Sequence, residues 1–223
     1  MDGFQNRKSG KDGLDDFPTP KWATRAFIAH CLPESHKGVH EDLTAWEPCA
    51  NRGHMVEPLR EYFGTVWGTD VHDYGHGFPV CDFLEMPDPS KFGVEAPTID
   101  WIVTNPPFNK AVEFFEHWYN EMPSIRYLAM FLRANFTEGA KRYDRVFSVL
   151  NPKLFCPYVE RVPLVAGRLD KDVSTQMPYA WFVWDREFLR SPTRVRWIPP
   201  SRKEYDREED WPTYDENGNE VPF

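Results

Sequence analysis

The feature of this sequence best suited to chemistry is a strand that ends in Asn105-Pro106-Pro107-Phe108. Ahead of it, Asp100-Trp101-Ile102-Val103-Thr104 reads as a buried strand, and in an open α/β sheet ligands sit beyond the carboxyl ends of the strands. Two successive prolines hold φ near −65° and restrict the residue before each, so the backbone after Asn105 forms a stiff, extended turn. The turn sets out a small rigid group of acceptors, the Asn105 side-chain oxygen and the Pro106 carbonyl, with the Phe108 ring beside them. Acceptors so placed suit an amine conjugated to a planar ring. Two accepted hydrogen bonds favour a pyramidal nitrogen whose lone pair can attack, and holding it in line with an electrophilic methyl can supply roughly 7–11 kcal/mol. Phe108 would stack on the ring, a contact worth about 1–3 kcal/mol in single-strand binders. Taken alone, Asn-Pro-Pro is also an ordinary way to stop a strand.

This block resembles the class I S-adenosylmethionine-dependent amino-methyltransferases, which carry (Asp/Asn/Ser)-Pro-Pro-(Tyr/Phe/Trp) at the same strand end. Within them it is most similar to the small adenine-N6 DNA methyltransferases of phages and mobile elements. The resemblance runs in motif order over residues 16–187. It implies a Rossmann-like, seven-stranded, mostly parallel sheet with helices on both faces, S-adenosyl-L-methionine as cofactor, and DNA as partner. Asn105, Pro106, Pro107 and Phe108 become the catalytic residues, and Asn105 also borders the cofactor.

The remaining cofactor residues come from three earlier blocks. In Trp46-Glu47-Pro48-Cys49-Ala50-Asn51-Arg52-Gly53-His54-Met55 the resemblance assigns Glu47, Pro48, Cys49, Ala50 and Gly53 to the turn around the methionine part of the cofactor. The physical reason is close approach: small residues and free amides at a helix start can meet a carboxylate. Asn51 stands where the family often has Gly, and Asn tolerates positive φ better than most residues. Asp70, ending Trp67-Gly68-Thr69-Asp70, is placed to accept from ribose hydroxyls. Asp82 and Phe83 fall where the family binds the adenine amine and packs on its ring. Read without the resemblance, both acids are equally turn or helix-cap residues. Thr19 and Pro20, in Asp16-Phe17-Pro18-Thr19-Pro20, would touch the methionine end, or Thr19 is simply an N-cap with Pro20 at the first helical position. Their place before the cofactor loop and the catalytic strand matches the γ-type order.

The elements that must position these residues are legible as alternating patterns. Thr44–Cys49, Val66–Val71, Pro79–Phe83, Ile99–Thr104 and Arg126–Leu132 read as strands, and Leu154–Val159 and Tyr179–Trp184 as two more. Lys21–Leu32, His54–Phe63, Lys110–Glu121 and Thr137–Leu150 read as helices. This alternation implies crossover connections and a sheet covered on both faces. With 223 residues, 41% of them hydrophobic, one domain at residues 16–200 is expected, preceded by a flexible arm at 1–15 and followed by an acidic, irregular tail at 201–223.

The chain carries a formal charge of −9, which argues against a nucleic-acid partner until it is divided along the sequence. Residues 1–125 hold 10 Lys/Arg against 20 Asp/Glu, residues 126–203 hold 15 against 7, and residues 204–223 hold 1 against 8. A local basic face can attract phosphate on an acidic molecule, since screening over about 8–10 Å limits the reach of distant charge. Arg126, Arg133, Lys141, Arg142, Arg145, Arg161, Arg168 and Lys171 are candidates, though some such residues only solvate a helix. Arg133 and Asn135, after the fifth strand, and Tyr179 are expected on the substrate side; Trp181 and Trp184 read as core. Cys31, Cys49, Cys81 and Cys156 are scattered, without a zinc-knuckle or disulfide pattern. No metal is expected, because Gly75 and Gly77 spoil a helix that would align His72 with His76. The polar N-terminus and the lack of a long apolar run point to a cytoplasmic protein without a membrane span. Two other readings stay open: a methyl acceptor that is an RNA adenine or a protein glutamine amide, and a non-catalytic cofactor-binding module.

Overall fold

The computed structural model describes residues 15–32, 40–92, 98–173, 175–188, 191–216 and 220–221. The arm expected at 1–15 falls outside them except for Asp15. Seven strands form one sheet in the order β2-β1-β3-β4-β6-β5-β7. They are β1 (His40–Glu47), β2 (Phe63–Gly68), β3 (Trp101–Thr104), β4 (Tyr127–Arg133), β5 (Leu154–Pro157), β6 (Tyr179–Asp185) and β7 (Arg194–Val195). Only β6 runs against the rest, slotted between β4 and β5. The order reverses at β1 and β3, which neighbour each other although they are separated by β2 in sequence. That reversal opens a crevice at the carboxyl ends of the central strands.

The period-2 alternation of the central strands feeds two cores. Trp101, Val103, Tyr127, Ala129, Phe131, Trp181 and Val183 point to one face, where α1 (Lys21–Cys31) covers them with Trp22, Phe27 and Cys31. Ile102, Leu128, Met130, Leu132, Phe182 and Trp184 point to the other, under Phe114, Phe115 and Trp118 of α3 (Ala111–Glu121). Trp181 and Trp184 are fully buried, as a core reading requires. Their indole N–H groups are satisfied, Trp181 donating to the Tyr158 hydroxyl at 2.8 Å and Trp184 to the Leu150 carbonyl at 3.1 Å. No basic residue occupies the last turn of α3, and Arg186 supplies the missing donors, binding the carbonyls of Tyr119 and Met122, each at 2.9 Å.

Three expected elements differ. The strand read at Pro79–Phe83 is a single bridge between Val80 and Asp70, because Asp82 instead accepts from the Leu84 amide and starts a 3-10 turn at Phe83–Glu85. The seventh strand is β7, at the opposite edge. The helix read at His54–Phe63 is confined to α2 (Val56–Arg60). β2 begins at Phe63, and its second residue must be Gly64, since a Cβ there would lie 1.8 Å from the Glu41 carbonyl oxygen of β1. The helix read at Thr137–Leu150 is broken by Gly139, whose φ of 107° is not helical; α4 (Ala140–Arg142) passes into a π-helical turn at Tyr143–Phe147.

The tail is more ordered than its composition suggests. It contains α5 (Arg202–Tyr205), a 3-10 turn at Glu208–Asp210 and the small hairpin β8 (Thr213–Tyr214) and β9 (Glu220–Val221). Arg25 of α1, 2% exposed, fastens it. Its guanidinium binds Asp210, the Tyr205 carbonyl at 3.0 Å and Glu61 at 2.7 Å. Removing one partner of a buried ion pair strands the other charge in low dielectric. Asp210→Ala is therefore expected to lower the free energy of unfolding by roughly 3 kcal/mol in urea denaturation; a change below about 0.5 kcal/mol, the usual size for surface sites, would show the tail to be decorative.

Candidate active site

Five consecutive turns meet at the carboxyl ends of the parallel strands and enclose a cavity of about 650 Å³. From the loop after β1 come Glu47, Pro48, Cys49, Ala50 and Asn51; from the loops after β2, Asp70, Tyr74, Asp82, Phe83 and Leu84. Asn105, Pro107, Phe108 and Lys110 follow β3, Arg133, Asn135, Phe136 and Arg142 follow β4, and Asp15, Phe17 and Thr19 lead into α1.

The loop after β1 is built on positive φ. Asn51 has φ 51° and Gly53 φ 90°, so Asn51 does adopt the left-handed conformation for which the family often uses Gly. The Asn51 amide donates to Asp70 Oδ2 at 2.9 Å, and the His72 amide to Oδ1 at 2.9 Å. Asp70 thus ties the first loop to the second while each oxygen keeps a further lone pair. Gly53 itself shapes the turn and stands behind the wall, with the Phe78 ring packed where a Cβ would be. Pro20 is likewise set back, as the N-cap of α1.

Asn105 is held by its nitrogen. Nδ2 donates to the Phe17 carbonyl at 2.9 Å and to Thr19 Oγ1 at 3.0 Å. Its Oδ1 is buried without a hydrogen-bond partner, on a residue that lines the cavity. Thr19 is therefore not the N-cap of α1. The Phe108 amide donates to Asp15 Oδ2 at 3.0 Å, and the Pro107 carbonyl accepts from the Lys110 amide at 2.8 Å, so the whole turn is braced. Pro106 is buried behind its neighbours. Tyr179 is also behind the wall: it stacks on Phe131 with centroids 5.2 Å apart and lies 6.1 Å from Phe108, backing that ring rather than lining the cavity.

Charge divides along the strand order. The β2 and β1 side carries Asp82, Asp70 and Glu47, and the β3 and β4 side carries Lys110, Arg133 and Arg142. Glu47 is fully buried; Oε1 accepts from the Cys49 amide at 2.8 Å, and Oε2 has no hydrogen-bond partner. Burial pushes its carboxyl up to about 8, with hydrogen bonds opposing and the Asp70 charge adding to the rise. Burial also raises Asp70. Burial and the cations Lys21 and Arg52 push His54 down to about 3, leaving a neutral ring 3.1 Å from Glu220 of β9.

The basic block predicted from residues 126–203 is only partly available. Arg126 pairs with Asp185 at 2.9 Å, Arg145 with Glu116, Arg168 with Asp170 at 2.9 Å and Lys171 with Glu208 at 3.1 Å. Arg133 and Arg142 remain at the cavity, the first with its guanidinium 5.5 Å from the Phe108 centroid and the second 5.1 Å from Phe136. Reading the sequence missed Asp15, Phe17, Tyr74, Lys110 and Phe136. Asp15 and Phe17 gave no periodic signal, and Lys110 entered only as the first residue of the helix read at Lys110–Glu121. Among the described residues no three His, Cys, Asp or Glu side chains are grouped to hold a metal ion, and no helix is long and apolar enough to cross a membrane.

Similarity to known structures is at the level of fold. A structure described as a modification subunit of a type I restriction enzyme from Vibrio vulnificus YJ016 aligns with a TM-score of 0.53 at 13% identity, over 96% of this chain and 59% of that one. A structure described as an RNA methyltransferase from Pyrococcus horikoshii aligns with a TM-score of 0.50 at 16% identity, over 83% of this chain and 92% of that one. No protein-family model and no curated protein matches the sequence. The chain thus has the Rossmann-like fold of the class I methyltransferases, with its seven-stranded, mostly parallel sheet, and it spans about three fifths of the length of the restriction-system subunit it matches.

The state of Glu47 gives a pH signature. A carboxyl raised from 4.5 to about 8 on folding contributes stability that is complete below 4.5 and lost as pH climbs through 8. The unfolding free energy of Glu47→Gln is expected to lack that decline, which reaches at most about 1.4 kcal/mol per pH unit. Urea titrations between pH 4 and 9 check this, and parallel curves for the two proteins would show Glu47 to be ionised throughout.

Proposed function

We propose that the protein is an S-adenosylmethionine-dependent methyltransferase that methylates an exocyclic amine of a nucleic-acid base, adenine N6 of DNA foremost. One observation carries the reading: a buried amide oxygen, Asn105 Oδ1, has no hydrogen-bond partner on a residue that lines the cavity, while its nitrogen is fully engaged. A buried acceptor left unpaired costs about 1–3 kcal/mol, and a donor brought by a ligand would relieve that cost. An exocyclic amine has such donors.

The residues fit the cofactor. Its adenosyl and methionyl parts carry hydroxyls, a carboxylate and an ammonium, and the acidic half of the cavity offers Asp70 to the ribose, Asp82 and Phe83 to the adenine, and the buried Glu47 carboxyl to the cationic end. Pro48, Cys49 and Ala50 line the turn beside it. When bound, the cofactor supplies a methyl on a sulfonium. The protein's part would be to hold the acceptor amine on Asn105 and to stack the ring on Phe108, with Phe17 lining the cavity beside them. The amine nitrogen would accept that methyl and then lose a proton to solvent.

A polyanionic acceptor is supported by Lys110, Arg133 and Arg142 around the β3 and β4 side of the cavity; phosphate contacts of that kind set register, and an extruded base needs an aromatic pocket in return. The neighbours described as a restriction-system modification subunit and an RNA methyltransferase agree with a nucleic-acid substrate and leave DNA and RNA as competing acceptors.

Asn105→Ala is expected to abolish methyl transfer while cofactor affinity stays within about threefold, a shift below 1 kcal/mol. Asp70→Ala should mainly weaken cofactor binding. Tritiated-methyl incorporation into unmethylated DNA, RNA and cell lysate, with calorimetric cofactor titration, checks both; label confined to protein would redirect the assignment to a glutamine amide, and absent cofactor binding would leave only a non-catalytic module.

A further inference from the structure

We infer that Thr19 is a positioning residue for Asn105, locking the amide so that its oxygen and not its nitrogen meets the acceptor amine. The inference rests on the methyl-transfer reading above. An asparagine amide turned by 180° would present N–H donors to a substrate that is itself a donor, and the site would repel what it must bind. The orientation is decided by Phe17: its carbonyl has no hydrogen to give, so the group 2.9 Å away from it must be the Asn105 NH2. The Thr19 hydroxyl, 3.0 Å from the same nitrogen, takes its other hydrogen. With both hydrogens engaged the amide cannot rotate without breaking two bonds, and Oδ1 is left without a partner in the protein.

What makes Thr19 a rigid anchor is the strap that bears it. Thr19 is 3% exposed and directly precedes Pro20, the N-cap of α1. Upstream, Asp15 accepts from the Phe108 amide, the Asp16 carbonyl accepts from the Gly167 amide at 2.9 Å, and the Asp16 carboxylate binds Asn51 Nδ2 at 2.8 Å and Arg52 at 3.0 Å. Residues 15–19 therefore fasten the catalytic turn and the loop after β1 to each other, and Thr19 sits at the point where that strap touches the amide of Asn105. The supporting hydrogen bond makes Asn105 an acceptor before any substrate arrives, so the orientation costs nothing at the moment of reaction.

The test uses Thr19→Val, which keeps the shape and removes the acceptor, and Thr19→Ser, which restores it. In the full-length protein, the side-chain amide pair of Asn105, labelled with nitrogen-15 asparagine and assigned by its loss in Asn105→Ala, should show two protected hydrogens. Thr19→Val should free one of them, and Thr19→Ser should keep both. In steady-state assays on the acceptor that the wild type labels, Thr19→Val should lower kcat roughly 10- to 100-fold, as losses of supporting hydrogen bonds commonly do, with KM for the cofactor within about twofold, and Thr19→Ser should recover most of the rate. An unchanged Asn105 amide pair in Thr19→Val overturns the inference. So does a raised cofactor KM at unchanged kcat, which would make Thr19 a direct cofactor contact. A wild-type protein that binds cofactor but transfers no methyl to any acceptor overturns the functional reading itself, a result the spectra of the variants cannot produce.

Discussion

A primary amide offers one acceptor and one donor, and which of them reaches a ligand depends on what holds the other. At Asn105 the donor is consumed inside the protein by a carbonyl that can only accept, and the acceptor is left buried at a cavity. The rest of the molecule makes that asymmetry possible. β3 lies between β1 and β4 with every residue buried, so the strand end cannot drift. The two prolines then deny the backbone the freedom to relax the turn, and the strap before α1 closes on it from the other side.

The second organising constraint is burial of charge along one edge of the sheet. Acids follow β1 and β2 and cations follow β3 and β4, so the strand order converts sequence position into a dipolar cavity. Burial raises the Glu47 carboxyl at the wall, and one of its oxygens has no hydrogen-bond partner. The net acidity of the chain is compatible with this arrangement, because many of the acids far from the cavity are engaged in holding the tail and helices together, as in the Arg25 cluster with Glu61 and Asp210.

Much of the fold was legible because its determinants are local. Alternating apolar residues announce strands, Gly and Pro punctuate them, and the paired faces of β3, β4 and β6 follow from a period of two. The turn at Asn105 was legible for the same reason, since proline imposes its geometry whatever surrounds it. Where local signals competed, the sequence misled. Asp82 preferred to cap Leu84 over continuing a strand, and Gly139 broke a helix whose hydrophobic spacing looked continuous.

From residue types and spacing alone came the alternating α/β pattern and the rigid turn, and the resemblance to the amino-methyltransferases implied the order of the candidate cofactor loops. Tertiary structure alone decided which charges are spent and which remain: Arg126, Arg145, Arg168 and Lys171 are committed to carboxylates, while Arg133 and Arg142 border the cavity. It also decided which end of the Asn105 amide faces inward. Those facts depend on partners up to 88 residues away, such as Phe17 across from Asn105. A hydrogen bond or ion pair at that separation is set by how helices and strands pack, and packing leaves no periodic trace in the chain.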